Sequence, residues 1–234
     1  MEKNVALNYI RRRKRRKRAA FVSLFSSIAI TVFIIIAFCL IYVDRFTVTT
    51  SGSDLFLTVD ETCEVITTKL EAPPLLKAID TQYTDIPDDI EEGLGSKNTN
   101  QYFAYSFYLG CKSERPTVDY SIDMTLNNCS NQLEDAIRVM IIRNGEKNVY
   151  AKAYDDGAPK EIKDGDTHES EPVVIGYTKP FYDNKHIILR PYSIVSGEYD
   201  RYTMVMWIDG WESDNSMKGG TVQTNVKFST EINF

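Results

Sequence analysis

Residues 117–127, TVDYSIDMTLN, decide the fold class. Val118, Tyr120, Ile122, Met124 and Leu126 alternate with Thr117, Asp119, Ser121, Asp123, Thr125 and Asn127, the period of a strand with one face buried and one wet. Working outward, residues 102–109 (YFAYSFYL) carry aromatics at odd and even positions alike. That pattern predicts a central strand covered on both faces. Residues 137–143 and 148–154 flank Asn144-Gly145, a dipeptide suited to the positive φ angles of a tight hairpin. Further strands are predicted at 54–59, 64–70, 173–177, 185–190, 199–208 and 221–228. About nine short strands with no long amphipathic helix argue a mainly β chain, an antiparallel, jelly-roll-like β-sandwich. A helical turn at 132–136 is the exception. Residues 72–99 hold six acids between Asp80 and Glu92, and residues 155–172 are likewise acidic. Both read as surface loops.

The sandwich follows a different kind of segment. Arg11, Arg12, Arg13, Lys14, Arg15, Arg16, Lys17 and Arg18 form an unbroken cationic run, after which residues 19–43 contain no charged side chain. A helix of 25 residues reaches about 37 Å, enough to cross a hydrocarbon core of about 30 Å. The cations hold their end in the cytoplasm. The expected organisation is a basic cytoplasmic head (1–18), one transmembrane helix (19–43) that takes the lipid bilayer as its partner, and an extracellular β domain (44–234). A cleaved signal is disfavoured by the length of the apolar run and by the lack of a small-x-small site in AFCLIYVDRF.

Charge excludes one class of function. Residues 1–45 hold 10 of the 27 Lys/Arg and 2 of the 33 Asp/Glu, leaving 17 basic against 31 acidic residues beyond. A body at −14 lacks the positive surface that phosphate contacts require, so no nucleic-acid partner is expected. Only His168 and His186 are present, and no H-E-x-x-H, G-x-S-x-G or Walker-type loop occurs. No catalytic residue, cofactor or metal ligand is therefore assigned. His168, in DGDTHESE, lies among acids that could gather a hard cation, against the plainer reading of a solvated loop. Outside the apolar run lie Cys63, Cys111 and Cys129. Cys111 and Cys129 end consecutive strands and could pair if the compartment is oxidising; otherwise all three are small, buried or half-buried residues. Trp211, with Glu212 and Asp214 beside it, has the composition of a sugar-stacking contact, set against simple packing under a loop.

The motifs YFAYSFYL, EDAIRVMIIRNGEKNVYAK and YTMVMWIDGWESD, with Gly219-Gly220 and a last strand after them, resemble a family of uncharacterised single-pass surface proteins of low-GC Gram-positive bacteria and their wall-less relatives. More distantly, the chain is similar to the camelysin/TasA-like sandwiches of bacterial surfaces and matrix fibres. Asn215-Ser216 stand where those relatives often carry a cysteine. The resemblance implies a membrane-held surface protein, and the leading expectation is a non-enzymatic adhesive, structural or scaffolding module whose partners are surface or matrix proteins or glycans. A carbohydrate-binding module centred on Trp211 is the second reading. A metal-dependent hydrolase, implied by the camelysin likeness and requiring His168 and His186 to converge, is the third.

Overall fold

The computed structural model describes residues 30–32, 46–73, 78–165 and 172–230. The chain divides into two units, Met1–Val43 and Asp44–Phe234. In the first, the described residues 30–32 are helical. Among the described residues no helix is long and apolar enough to cross a membrane; the expected span at 19–43 lies, apart from those three residues, outside them.

The second unit is mainly β, with multiple antiparallel sheets and almost no helix. Residues 117–127 form most of strand β7 (Thr117–Cys129), and their apolar set Val118, Tyr120, Ile122, Met124 and Leu126 is buried as the alternation requires. In a five-stranded sheet β7 lies between β13 (His186–Val195) and β15 (Val222–Ser229), followed by β1 (Phe46–Ser51) and β3 (Lys69–Ala72). All neighbours are antiparallel except β1 and β15, which run parallel.

An eight-stranded sheet is built around β14 (Tyr199–Asp209), which pairs on one side with β6 (Tyr102–Cys111) and on the other with β8 (Ile137–Arg143). Outward from β6 lies β2 (Leu55–Thr58); outward from β8 lie β9 (Glu146–Ala151) and the two-residue β12 (Lys179–Pro180). Two further short strands, β4 (Asp80–Thr81) and β5 (Gly95–Ser96), join β14 and β6. The β8–β9 turn has φ of 50° at Asn144 and 84° at Gly145, the hairpin geometry predicted for that dipeptide. A two-stranded ribbon of β10 (Glu161–Asp164) and β11 (Val173–Tyr177) completes the unit.

The main core draws Val48, Tyr120, Ile122, Met124 and Phe228 from the five-stranded sheet, and Leu57, Phe107, Leu109, Val139, Ile141 and Tyr202 from the eight-stranded one. The fold is therefore sandwich-like. A second cluster covers the other face of the larger sheet: Tyr102, Ala104, Met140, Ile142, Val205 and Trp207 bury against Ile86 and Ile90. This is why YFAYSFYL is aromatic on both faces. It also corrects the reading of 72–99 as surface loop, because Ile86 and Ile90 anchor its middle onto the sheet.

Two more expectations are corrected. The stretch at 64–70 becomes a strand only from Lys69. Before it the chain wraps around the Asp60 carboxylate, which accepts the backbone N–H groups of Thr62, Glu64 and Val65; such local bonds compete with a ladder. The pairing of Cys111 with Cys129 is not formed, and both are free thiols. Their strands lie in different sheets, and Cys129 sits twelve residues along β7, about 40 Å from the β6–β7 crossover.

Candidate functional site

Strand β14 ends in the turn 209–214, which holds the ligand residues expected from sequence. Glu212 and Ser213 donate their N–H groups to the Asp209 carbonyl, 3.1 and 3.0 Å. Asp214 caps the following short helical turn by accepting the Ser216 N–H at 2.6 Å. Trp211 is half-buried, with its indole N–H enclosed and without a partner. Glu212 points into the fold. It accepts Lys160 Nζ at 2.8 Å and the Tyr154 hydroxyl at 3.2 Å, and lies 3.5 Å from Lys163 Nζ and 4.0 Å from Arg138 Nη2. Two of the three side chains expected to receive a ligand, Glu212 and Asp214, are thus already bonded within the chain.

Glu212 belongs to a buried ionic hub. Arg138, 1% exposed, lies on the outer face of β8 and contacts Asp209 at 2.8 Å. Lys160 also donates to the Asp135 carbonyl at 2.7 Å. Burial pushes the Glu212 carboxyl up, but the Lys160 hydrogen bond and the charges of Lys160, Arg138 and Lys163 outweigh it and leave it below its ordinary value. Burial holds the Asp209 carboxyl above its ordinary value against the pull of Arg138, and the guanidinium keeps its proton. No sequence signal marks Arg138 as a partner of Glu212; the pair needs the β8–β14 register, in which Arg138 faces Trp207.

The hub anchors the ribbon. Lys163 lies in β10, Lys160 just precedes it, and Thr178, just beyond β11, donates its N–H and hydroxyl to the Lys160 carbonyl. Thr84 adds a bond to Asp164 at 2.9 Å. Strand β10 faces the body, and β11 is the outer strand.

Strand β11 differs from the other sheet margins. The margin at β3 is four residues long with Lys69 and Glu71 on it; β13 carries Pro191; β12 is only Lys179–Pro180; β2 is covered by the Leu57–Thr67 bridge. These are ordinary ways of blunting an edge. Along β11, Val173, Val174, Ile175 and Tyr177 are 64%, 41%, 46% and 65% exposed, with no charge among them. Its single blunting feature is a bulge: Gly176 and Val174 face Ile162 and Lys163, so Ile175 has no partner on β10. Among the described residues no strand pairs with the outer side of β11.

The β unit holds further features. A cavity of about 780 Å³ opens at the ends of β14 and β15 over Phe46, Phe103, Ile137, Met206 and Met217, with Asp214 on its rim. His186 Nδ1 lies 2.9 Å from an Asp183 oxygen. Asp183 accepts the His186 and Lys185 N–H groups, and these bonds with the His186 ring lower its carboxyl to about 2. His168 lies outside the described residues, and among the described residues no His/Cys/Asp/Glu group suits a metal ion. A polar lock unnoticed in the sequence joins the sheets: Tyr120 donates to Asp200 at 2.5 Å and lies 2.7 Å from the Tyr202 hydroxyl, while Arg143 and Asn144 hold Asp200 at 2.8 and 2.7 Å.

No protein-family model matches the chain, and no curated protein matches it. Among solved structures, the chain is similar to a β-glucosidase from Kluyveromyces marxianus in complex with glucose, at 11% identity and a TM-score of 0.21 over 74% of this chain. The chain spans 15% of that enzyme's length, and a likeness this slight carries no argument about fold or activity.

Proposed function

We propose that the protein is a membrane-anchored cell-surface module with an adhesive, structural or scaffolding role and no catalysis. Residues 1–18 are its cytoplasmic head, 19–43 its single transmembrane helix, and 44–234 a jelly-roll-like extracellular sandwich related to the single-pass surface proteins that its motifs resemble. The observation that carries this reading is the β11 margin: an uncharged, exposed strand clamped to the body by a buried ionic hub, among margins that are otherwise short, charged, proline-bearing or covered. Backbone groups along such a margin are a template for strand addition by another protein.

The test is extraction of membranes from cells expressing the full chain. Alkaline carbonate should leave the intact chain in the pellet, and deletion of residues 19–43 should release it. Recovery of the intact chain in the carbonate supernatant, or a mature N-terminus beyond Val43, refutes the proposal.

A further inference from the structure

We propose that the open end of the sandwich is a binding site for a neutral, mainly apolar molecule with an oxygen that accepts a hydrogen bond, a long-chain alcohol being the simplest of that class. The site belongs to the β unit alone and does not rest on the surface-module reading.

The argument begins with how the core ends. Along the inner face of β14, Tyr202 and Met204 are buried, whereas Met206 and Ile208 are only half-buried. On β15, Phe228 and Val226 are buried and Val222 is half-buried. Where the core is closed, the Tyr202 and Phe228 rings meet with their centroids 5.0 Å apart. Toward the other end the two strands present smaller side chains in place of those rings, and a cavity of about 780 Å³ remains, a size typical of small-molecule sites. Its wall is tied down. Asp214 accepts the Ser216 N–H, Asn131 donates to the Lys218 carbonyl at 3.0 Å, and Ser130 donates its N–H to the Thr221 carbonyl at 3.0 Å. At Gly220 an added Cβ would lie 2.5 Å from Leu133 Cδ1, so this turn is seated directly on the core. A preformed wall spares the ligand the cost of ordering the protein.

The lining selects the ligand. Phe46, Phe103, Ile137, Met206 and Met217 form apolar walls, and water held in a cavity needs several polar partners that such walls do not supply. One donor is left over. Thr224, 2% exposed, lines the cavity, and among the described residues its hydroxyl meets only the Met206 thioether, at 4.0 Å. A thioether is a weak acceptor, and a buried hydroxyl without a good one is costly. A bulge in β15 falls between Gln223 and Thr224, an irregularity of the kind that re-aims a side chain beside a site. Among the described lining residues Lys218 is the one cation, set against Asp80 and Asp214, so the mouth does not favour an anionic head. A neutral ligand whose oxygen accepts from Thr224, with its apolar part against the walls, satisfies both the donor and the lining.

The experiment uses the full chain mixed with phosphatidylcholine vesicles that carry decanol with a diazirine in its chain, followed by irradiation and peptide mass mapping. Decane and decanoate with the same diazirine are the comparisons. Decanol should label the peptides holding Met206 and Met217 saturably. Thr224→Val should raise its half-saturation about fivefold, the worth of one neutral hydrogen bond, and leave that of decane unchanged. Val222→Trp should fill the space and cut the labelling about tenfold or more with the thermal midpoint unchanged; if that variant does not fold, the Thr224→Val comparison decides alone. Labelling that does not saturate, or that spreads evenly over the β unit, overturns the site. A Thr224→Val effect that is absent, or equal for decanol and decane, overturns the role of the Thr224 hydroxyl. Tighter labelling by decanoate than by decanol overturns the neutral class. None of these outcomes turns on whether the vesicles retain the chain, so the surface-module reading stands or falls separately.

Discussion

Neutralising Glu212 tests whether the ionic hub holds the ribbon to the body. In Glu212→Gln, Lys160, 5% exposed, keeps the Asp135 carbonyl but loses its carboxylate at 2.8 Å; Lys163 loses its contact at 3.5 Å; Arg138 retains Asp209 and its donations to the Asp135 and Ile137 carbonyls. Removing one partner of a buried pair costs about 3–5 kcal/mol, because the other charge stays enclosed. Glu212 has a side-chain exposure of 13% and Lys163 of 18%, so water recovers part of this and the loss should be about 3 kcal/mol. For a unit of this size that lowers the thermal midpoint by about 6–12 °C. The assay is thermal unfolding of the full chain at pH 7 and low salt, followed by near-UV circular dichroism. Glu71→Gln, which removes a solvent-exposed ion pair with Lys69, should cost less than about 0.5 kcal/mol. The acid limb supplies a second reading. The Glu212 carboxyl lies below its unfolded value of 4.5, so its contribution is present above 4.5 and fades as pH falls through the lower folded value. The Asp209 carboxyl lies above its unfolded value of 3.8 and has the opposite slope. Glu212→Gln should therefore remove stability at pH 7 and lose less on acidification than the parent. A variant within about 0.5 kcal/mol of the parent at pH 7 would refute the hub.

Two other outcomes follow from local geometry. Burial, with Glu134 beside it, pushes the Cys129 thiol up to about 12, so at pH 8 about one molecule in 10⁴ carries the thiolate. Peptide mapping should find half-buried Cys129 modified by iodoacetamide far more slowly in the folded chain than after unfolding; modification at the rate of a free thiol would contradict the raised value. At Gly110 an added Cβ would lie 2.4 Å from Phe56 Cζ and 2.9 Å from Tyr199 Cε1. Gly110→Ala should cost about 1–3 kcal/mol by overpacking, measured by urea unfolding, and an unchanged midpoint would contradict the close approach of β2 and β14 across β6.

The elements legible in the sequence are those whose cause is local. The period of two at 117–127 reports one buried face, and Asn144-Gly145 reports a turn whose φ angles few residues tolerate. What escaped depends on distant contacts. Strand β10 reads Glu-Ile-Lys-Asp, with one apolar residue and no period, and becomes a strand because β11 and the hub hold it. Ile86 and Ile90 are two apolar residues in an acidic stretch, too few to predict that they cover a sheet. Glu212 is the sharpest case. Its neighbours Trp211 and Asp214 suggest a ligand contact, yet its charge is met by Lys160, Lys163 and Arg138, between 49 and 74 positions away. Composition alone does not separate a carboxylate that waits for a ligand from one that clamps a ribbon.

Shaving of intact cells with proteinase K tests the account most directly, through the side of the membrane on which the β unit lies. With mass mapping of what remains, the account predicts loss of peptides beyond Phe46 from whole cells, while the cationic run from Arg11 to Arg18 is cleaved only after lysis. Protection of the β unit in whole cells and its digestion only in lysates would contradict it.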